Sequence, residues 1–143
     1  MRAKWLVLSL AVSLLLACAF ASPSLAQRVT VDVSPLAAKG AGPLAAHIRA
    51  TLPAQIRKAI AGKYQGPLTV RIRAVTLHQH TGFRIVEPID FMEGDLIIPG
   101  RPPKPILLAL PVDRSATMLT PYGMSLRINY LTETFAQWVA RYI

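Results

Sequence analysis

Leu68-Thr-Val-Arg-Ile-Arg-Ala-Val75 is the stretch on which the fold turns. Apolar and polar residues alternate, so Leu68, Val70, Ile72 and Ala74 are expected on one face, and Thr69, Arg71 and Arg73 on the other. Successive side chains of a strand point to opposite sides, so this is a strand with one buried and one wet face. Gly66-Pro67 supplies the turn that opens it. Upstream, Arg28-Val-Thr-Val-Asp-Val33 alternates in the same way, with Val29, Val31 and Val33 on one side. Ser34-Pro35 ends that strand, and Ala37 to Gly42 read as a loop of small residues.

Between the two strands lies a helical pattern. Pro43 opens it, and Leu44, Ile48, Leu52, Ile56 and Ile60 recur every four residues, while Arg49, Arg57 and Lys58 fall off that stripe. Pro53 conflicts with one continuous helix, because an interior proline loses a backbone bond and crowds the preceding turn. The helix is expected either to kink there or to restart with Thr51 as a cap. Gly62 suits the stop.

Downstream, Phe83-Arg-Ile-Val86 offers a short strand, and Glu87-Pro88 and Glu93-Gly94 read as turns. Asp95-Leu-Ile-Ile98 and Ile106-Leu-Leu-Ala-Leu110, joined through Pro99-Gly-Arg-Pro-Pro103, read as a hairpin whose prolines suit edges and ends. Met124, Ile128, Leu131, Phe135, Trp138 and Tyr142 follow steps of three and four, the strongest helix signal in the chain. Thr120-Pro121 would start it, although Met124-Ser-Leu-Arg-Ile128 also alternates as a strand would.

The order is β-α-β-β-β-α. Two strands flanking a helix imply a parallel pair with a crossover, and short turns imply antiparallel neighbours. The expected fold is a two-layer α+β sandwich. Its mixed sheet has four strands, or five if Phe83–Val86 pairs, and both helices cover the Leu68–Ala74 side.

Residues 1–26 carry the three parts of a secretory leader: Arg2 and Lys4, an apolar run from Trp5 to Phe20, and Ser24-Leu-Ala26 before Gln27. The run is shorter than the roughly 20 residues of a spanning helix. Cleavage after Ala26 would leave a single domain over 27–143, in the periplasm or secreted. Leu15-Leu-Ala-Cys18 resembles the lipobox of bacterial lipoproteins, and acylation at Cys18 would instead anchor the domain to the envelope by lipid. The apolar Ala-Phe-Ala after Cys18 favours the former. No later segment is long and apolar enough to span, and no cysteine remains beyond Cys18 to form a disulfide.

The whole chain has 16 basic and 7 acidic residues, a formal charge of +9. The leader removes only two of those cations. In an exported domain this surplus points to an anionic lipid, a polysaccharide or an envelope protein rather than nucleic acid. Arg71 and Arg73, two residues apart on the wet side of one strand, are the leading candidate binding groups, with Lys63 and Arg84 as neighbours. The other reading of those charges is a solvated strand that charge protects from edge pairing. His78 and His80 share one side of an extended chain and are the only ligand-like spacing, two donors where a specific metal site needs more. Ser34, Ser115 and Ser125 lie in no Gly-x-Ser-x-Gly elbow, and no glycine-rich phosphate loop occurs. A non-catalytic protein without a cofactor is expected, with metal handling through His78 and His80 as the rival reading and a small enzyme as the less favoured third.

As an order of elements, the layout resembles small α/β domains of bacterial envelope proteins: the lipopolysaccharide-assembly lipoprotein, the N-terminal domain of the Tol-system β-propeller protein, and curli-secretion lipoprotein domains. The resemblance implies a structural or assembly role in the envelope and carries over no residues.

Overall fold

The structure, a computed structural model, describes residues 28–78, 89–112 and 120–143. The leader with Cys18, the Phe83–Val86 strand, His80 and Arg84 lie outside the described residues. The elements are β1 (Val29–Asp32), α1 (Ser34–Ala38), α2 (Gly42–Ile60), β2 (Leu68–Thr76), β3 (Ile89–Ile97), β4 (Lys104–Pro111) and α3 (Pro121–Arg141). The four described strands form one sheet in the order β1-β2-β3-β4. β1 pairs parallel to β2, placing Val29 beside Leu68 and Val31 beside Val70. The β2–β3 and β3–β4 pairs are antiparallel. A parallel pair cannot be closed by a tight turn, and α1 and α2 provide the crossover. The expected α+β sandwich with a mixed sheet is the architecture found.

One face of the sheet is buried. Val31, Val70, Ile72, Met92, Leu96, Ile106 and Leu108 pack against Ile48, Leu52, Ile56 and Ile60 of α2 and Leu131, Phe135 and Val139 of α3. At roughly 1.5–3 kcal/mol for each large apolar side chain buried, this layer dominates the favourable side of folding.

Several local expectations change. Ser34–Ala38 forms a short helix rather than a loop. Pro35 stands in its first turn, where no backbone donor is needed, and Asp32 Oδ1 accepts the Ser34 N–H at 3.0 Å. α2 runs through Pro53 without a restart. Arg49, whose carbonyl loses its partner there, is exposed, so water can replace the missing bond. Thr51 caps nothing; its hydroxyl donates to the His47 carbonyl one turn back, at 3.0 Å. Gly62 does end the helix region, at φ +76°.

The largest change is in β2. Its register against β3 shifts between Ile72 and Ala74, which makes Arg73 the extra residue of a β-bulge. Beyond the bulge the faces exchange. Ala74 lies opposite Glu93 on the open side, and Val75 lies opposite Met92 and packs against the core. Glu93 and Gly94, read from sequence as a turn, sit in the middle of β3. Gly94 is needed where it stands. A Cβ there would lie 2.5 Å from the Arg71 carbonyl oxygen and 3.3 Å from Phe135 Cζ, so only glycine lets the two strands and the Phe135 ring close up.

α3 begins as read, with the Thr120 hydroxyl accepting the Gly123 N–H at 3.1 Å and Pro121 in the first turn. Met124–Ile128 is therefore helix. The buried face is turned by about one position from the expected stripe: Arg127, Leu131, Phe135 and Val139 are buried, and Trp138 and Tyr142 half-buried. None of the helices among the described residues is long and apolar enough to cross a membrane.

Two substitutions test this packing. Phe135→Ala should destabilise by about 3–5 kcal/mol in a denaturant melt. Gly94→Ala should cost about 1–3 kcal/mol although it adds only a methyl group. An unchanged midpoint for either would contradict the arrangement.

Candidate functional site

The structure brings Arg71 and Arg73 together on the open face of the sheet, but not as free cations. Arg71 Nε donates to Asp32 Oδ2 at 3.0 Å across the β1–β2 pair. Arg73 NH2 lies 2.8 Å from Glu93 Oε1, and its Nε lies 3.4 Å from Asp95 Oδ2. The Arg73 carbonyl accepts from Lys39 Nζ at 3.0 Å. This half of the face is an ordered set of ion pairs, close to neutral in sum. Lys63 lies in the turn between α2 and β2 rather than on the sheet. The Asp32 carboxyl is held below the usual carboxylate range, mainly by hydrogen bonds from the Ser34 backbone and hydroxyl and then by Arg71.

The other half of the open face is apolar. Phe91 is paired with Ala109 and Glu93 with Leu107, and Phe91 and Leu107 are exposed. On the opposite, helical side of the sheet, α3 also presents exposed apolar residues. Tyr122, Leu126 and Tyr130 recur every four residues along its outer side, all three exposed. Between β4 and α3 a cleft of about 370 Å³ opens, lined by Leu110, Pro111, Val112, Leu126 and Tyr130, with Asp90 and Arg127 beneath.

Those two residues form the most buried polar contact described. Arg127 is 6 % exposed and Asp90 3 %. Arg127 Nε donates to Asp90 Oδ2 at 2.9 Å and NH2 donates to Oδ1, a bidentate fork. NH2 also reaches the His78 carbonyl at 2.9 Å, and NH1 faces Met124 Sδ at 3.3 Å. The His78 N–H donates to Asp90 Oδ1 at 2.9 Å. His78 thus enters this network through its main chain. Among the described residues, no three of His, Cys, Asp and Glu converge as a metal site would require. His47 bridges the helices, its Nε2 lying 3.0 Å from Asn129 Oδ1.

Asp90, Glu93 and Asp95, an acidic patch in the linear sequence, are split by the strand. Asp90 faces the core, and the other two face the open side. The Asp90–Arg127 pair was missed at the sequence level, although signals for it exist. Asp90 shares the parity of Met92 and Leu96, and Arg127 lies four residues before Leu131. Both stand on apolar stripes, where a charge must find a partner.

No protein-family model matches the sequence, and no curated protein matches it. Among solved structures, the chain is similar to rare lipoprotein B from Shewanella oneidensis, at 13 % identity and a TM-score of 0.45, covering 80 % of this chain and 91 % of that one. It is also similar to a putative lipoprotein from Caulobacter crescentus, at 14 % identity and a TM-score of 0.38, covering 82 % and 85 %. Both are weak likenesses of fold alone, and no residue role passes from either protein to this chain.

Arg127→Met should destabilise by about 3–5 kcal/mol, because Asp90 would stay buried without its cation; adding Asp90→Leu should recover most of that loss in chemical denaturation. Asp32 gives a smaller, pH-dependent effect. Its folded pKa lies below its unfolded value, so its contribution is complete above about pH 4 and fades as pH falls through the folded value. Asp32→Asn should flatten that acid limb by less than about 1 kcal/mol, since Arg71 is half exposed. An unaltered acid titration of stability would contradict it.

Proposed function

We propose that this protein is a non-catalytic binding domain of the bacterial cell envelope that holds a segment of a partner protein at the β4 margin. The observation that carries the reading is the gathering of exposed large apolar side chains. Tyr122, Leu126 and Tyr130 form one exposed row on the first half of α3, and Leu126 and Tyr130 line a single cleft with Leu110, Pro111 and Val112 at the end of β4. Scattered exposed apolar residues are ordinary, whereas a contiguous group beside a concave surface is the mark of a binding site.

The chemistry of the neighbouring groups supports binding rather than catalysis. Both oxygens of Asp90 accept hydrogen bonds from Arg127, and Oδ1 also accepts the His78 N–H. A carboxylate so engaged is poorly placed to move a proton. The pairing of Arg71 and Arg73 with Asp32, Glu93 and Asp95 favours a mixed polar and apolar protein surface there over a polyanion. Pro105 and Pro111 interrupt β4 as a template for a further strand, which favours side-chain contacts in the cleft over simple extension of the sheet. The export leader supports the compartment.

The test is site-directed photo-crosslinking in living cells, with the photoreactive residue at Leu126, at Tyr130, or at Arg57 on α2. The first two positions should give the same discrete protein adduct, and Arg57 should not. Leu126→Glu should weaken the purified complex roughly tenfold or more. Equal adducts from all three positions, or none from the cleft at normal protein level, would refute the reading.

A further inference from the structure

The ends of the elements meet in a pattern that the cleft does not use. Leu68, at the start of β2, donates its N–H to the Arg28 carbonyl at 3.0 Å, so the chain enters the fold beside the α2–β2 turn. Ile97, at the end of β3, pairs with Thr69, and Lys104, at the start of β4, pairs with Leu96. Tyr142, just past α3, lines one recess with Leu96, Ile98 and Lys104. The ends of α2 and α3 and the β3–β4 turn therefore share one pole of the molecule.

That pole is uniformly basic. Arg57, Lys58 and Lys63 come from the end of α2 and its turn, Arg101 and Lys104 from the β3–β4 turn, and Arg141 from α3. All six are exposed. None has a carboxylate partner among the described residues, and no acidic side chain occurs in 57–70, 96–104 or 138–143. Cations favour helix C-termini, but each terminus offers only about half a unit of negative charge, within its last turn. Two helix ends leave most of this charge unexplained.

The pole also carries aromatic rings. Lys104 Nζ stands 4.0 Å from the Tyr142 ring centre, and the Arg141 guanidinium 5.1 Å from that of Trp138. The Trp138 and Tyr142 rings are 6.1 Å apart. Beside them a recess of about 250 Å³ is lined by Leu96, Ile98 and Pro102 together with Arg101, Lys104 and Tyr142.

We infer that this pole is a docking surface for an anionic phospholipid bilayer. Cations meet headgroup phosphates, while tryptophan and tyrosine suit the boundary where one side of a ring is wet and the other apolar. A soluble phosphate would engage the cations but would have no use for the rings or the apolar recess. The inference is independent of the partner cleft, which lies between β4 and the first half of α3.

The full chain carrying Trp5→Phe retains Trp138 as its single tryptophan. Brominated lipids in phosphatidylglycerol-containing vesicles should quench its emission; brominated phosphatidylcholine vesicles should not, even where the leader attaches the chain to both. Arg101→Gln, Lys104→Gln and Arg141→Gln together should lower the apparent vesicle affinity about a hundredfold, at about 1 kcal/mol for each cation near the surface. Their fold is checked by circular dichroism. In the parent chain, raising salt to about 0.5 M should weaken the quenching. Leu126→Ser should leave it intact, so failure here and failure of the cleft reading are distinguishable. Equal quenching by both lipids, an unaffected triple variant, salt-independent quenching, or an emission change reproduced by inorganic phosphate alone would overturn the inference.

Discussion

A guanidinium and a carboxylate withdrawn from water must satisfy each other almost completely, and the Asp90–Arg127 fork sets that condition at the rim of the core. It joins the first turns of α3 to the start of β3, and through the backbone of His78 it also holds the exit of β2. Three separate elements are brought to one geometry, because any of them moving away would leave a buried charge unpaired. The apolar layer supplies most of the driving force for folding. The pair restricts how α3 can sit on the sheet, and with it the floor of the cleft beside β4.

Much of the fold was legible because its signals are periodic. The alternation of Val29 to Val33 and Leu68 to Ile72, and the four-residue recurrence from Ile48 to Ile60, each identify an element and its buried face. The failures arise where a non-local contact overrides the local pattern. The bulge at Arg73 depends on what β3 offers across the ladder, so nothing in Ala74-Val75 alone reveals that the two exchange faces. Glu93-Gly94 looks like a turn to any local reading. It is strand because Gly94 is the place where the Arg71 backbone and the Phe135 ring come closest. Pro53 is tolerated in α2 because it falls on a side where water can reach the freed carbonyl.

The candidate site was less legible than the fold. Arg71 and Arg73 were correctly placed on the wet side, but their charge is offset by Asp32 from one neighbouring strand and by Glu93 and Asp95 from the other. Which acids lie across a sheet depends on register, and register is long-range information. The same holds for the sorting of charge. Acids and arginines pair along the middle of the open face, whereas six exposed cations without a carboxylate partner among the described residues collect where helices end and the β3–β4 turn projects. One net positive number for the chain conceals a nearly neutral face and a basic pole.

The parallel pairing of β1 with β2 carries a kinetic consequence. Asp32 and Arg71, which meet across it, are 39 residues apart in the chain, whereas β3 and β4 are joined by a short turn. The hairpin can zip locally, but β1 must wait for a large loop to close before its four residues find a neighbour. Of the described strands, the first in chain order is therefore among the last to be secured, and the free edge of β2 stays open until the crossover helix has folded.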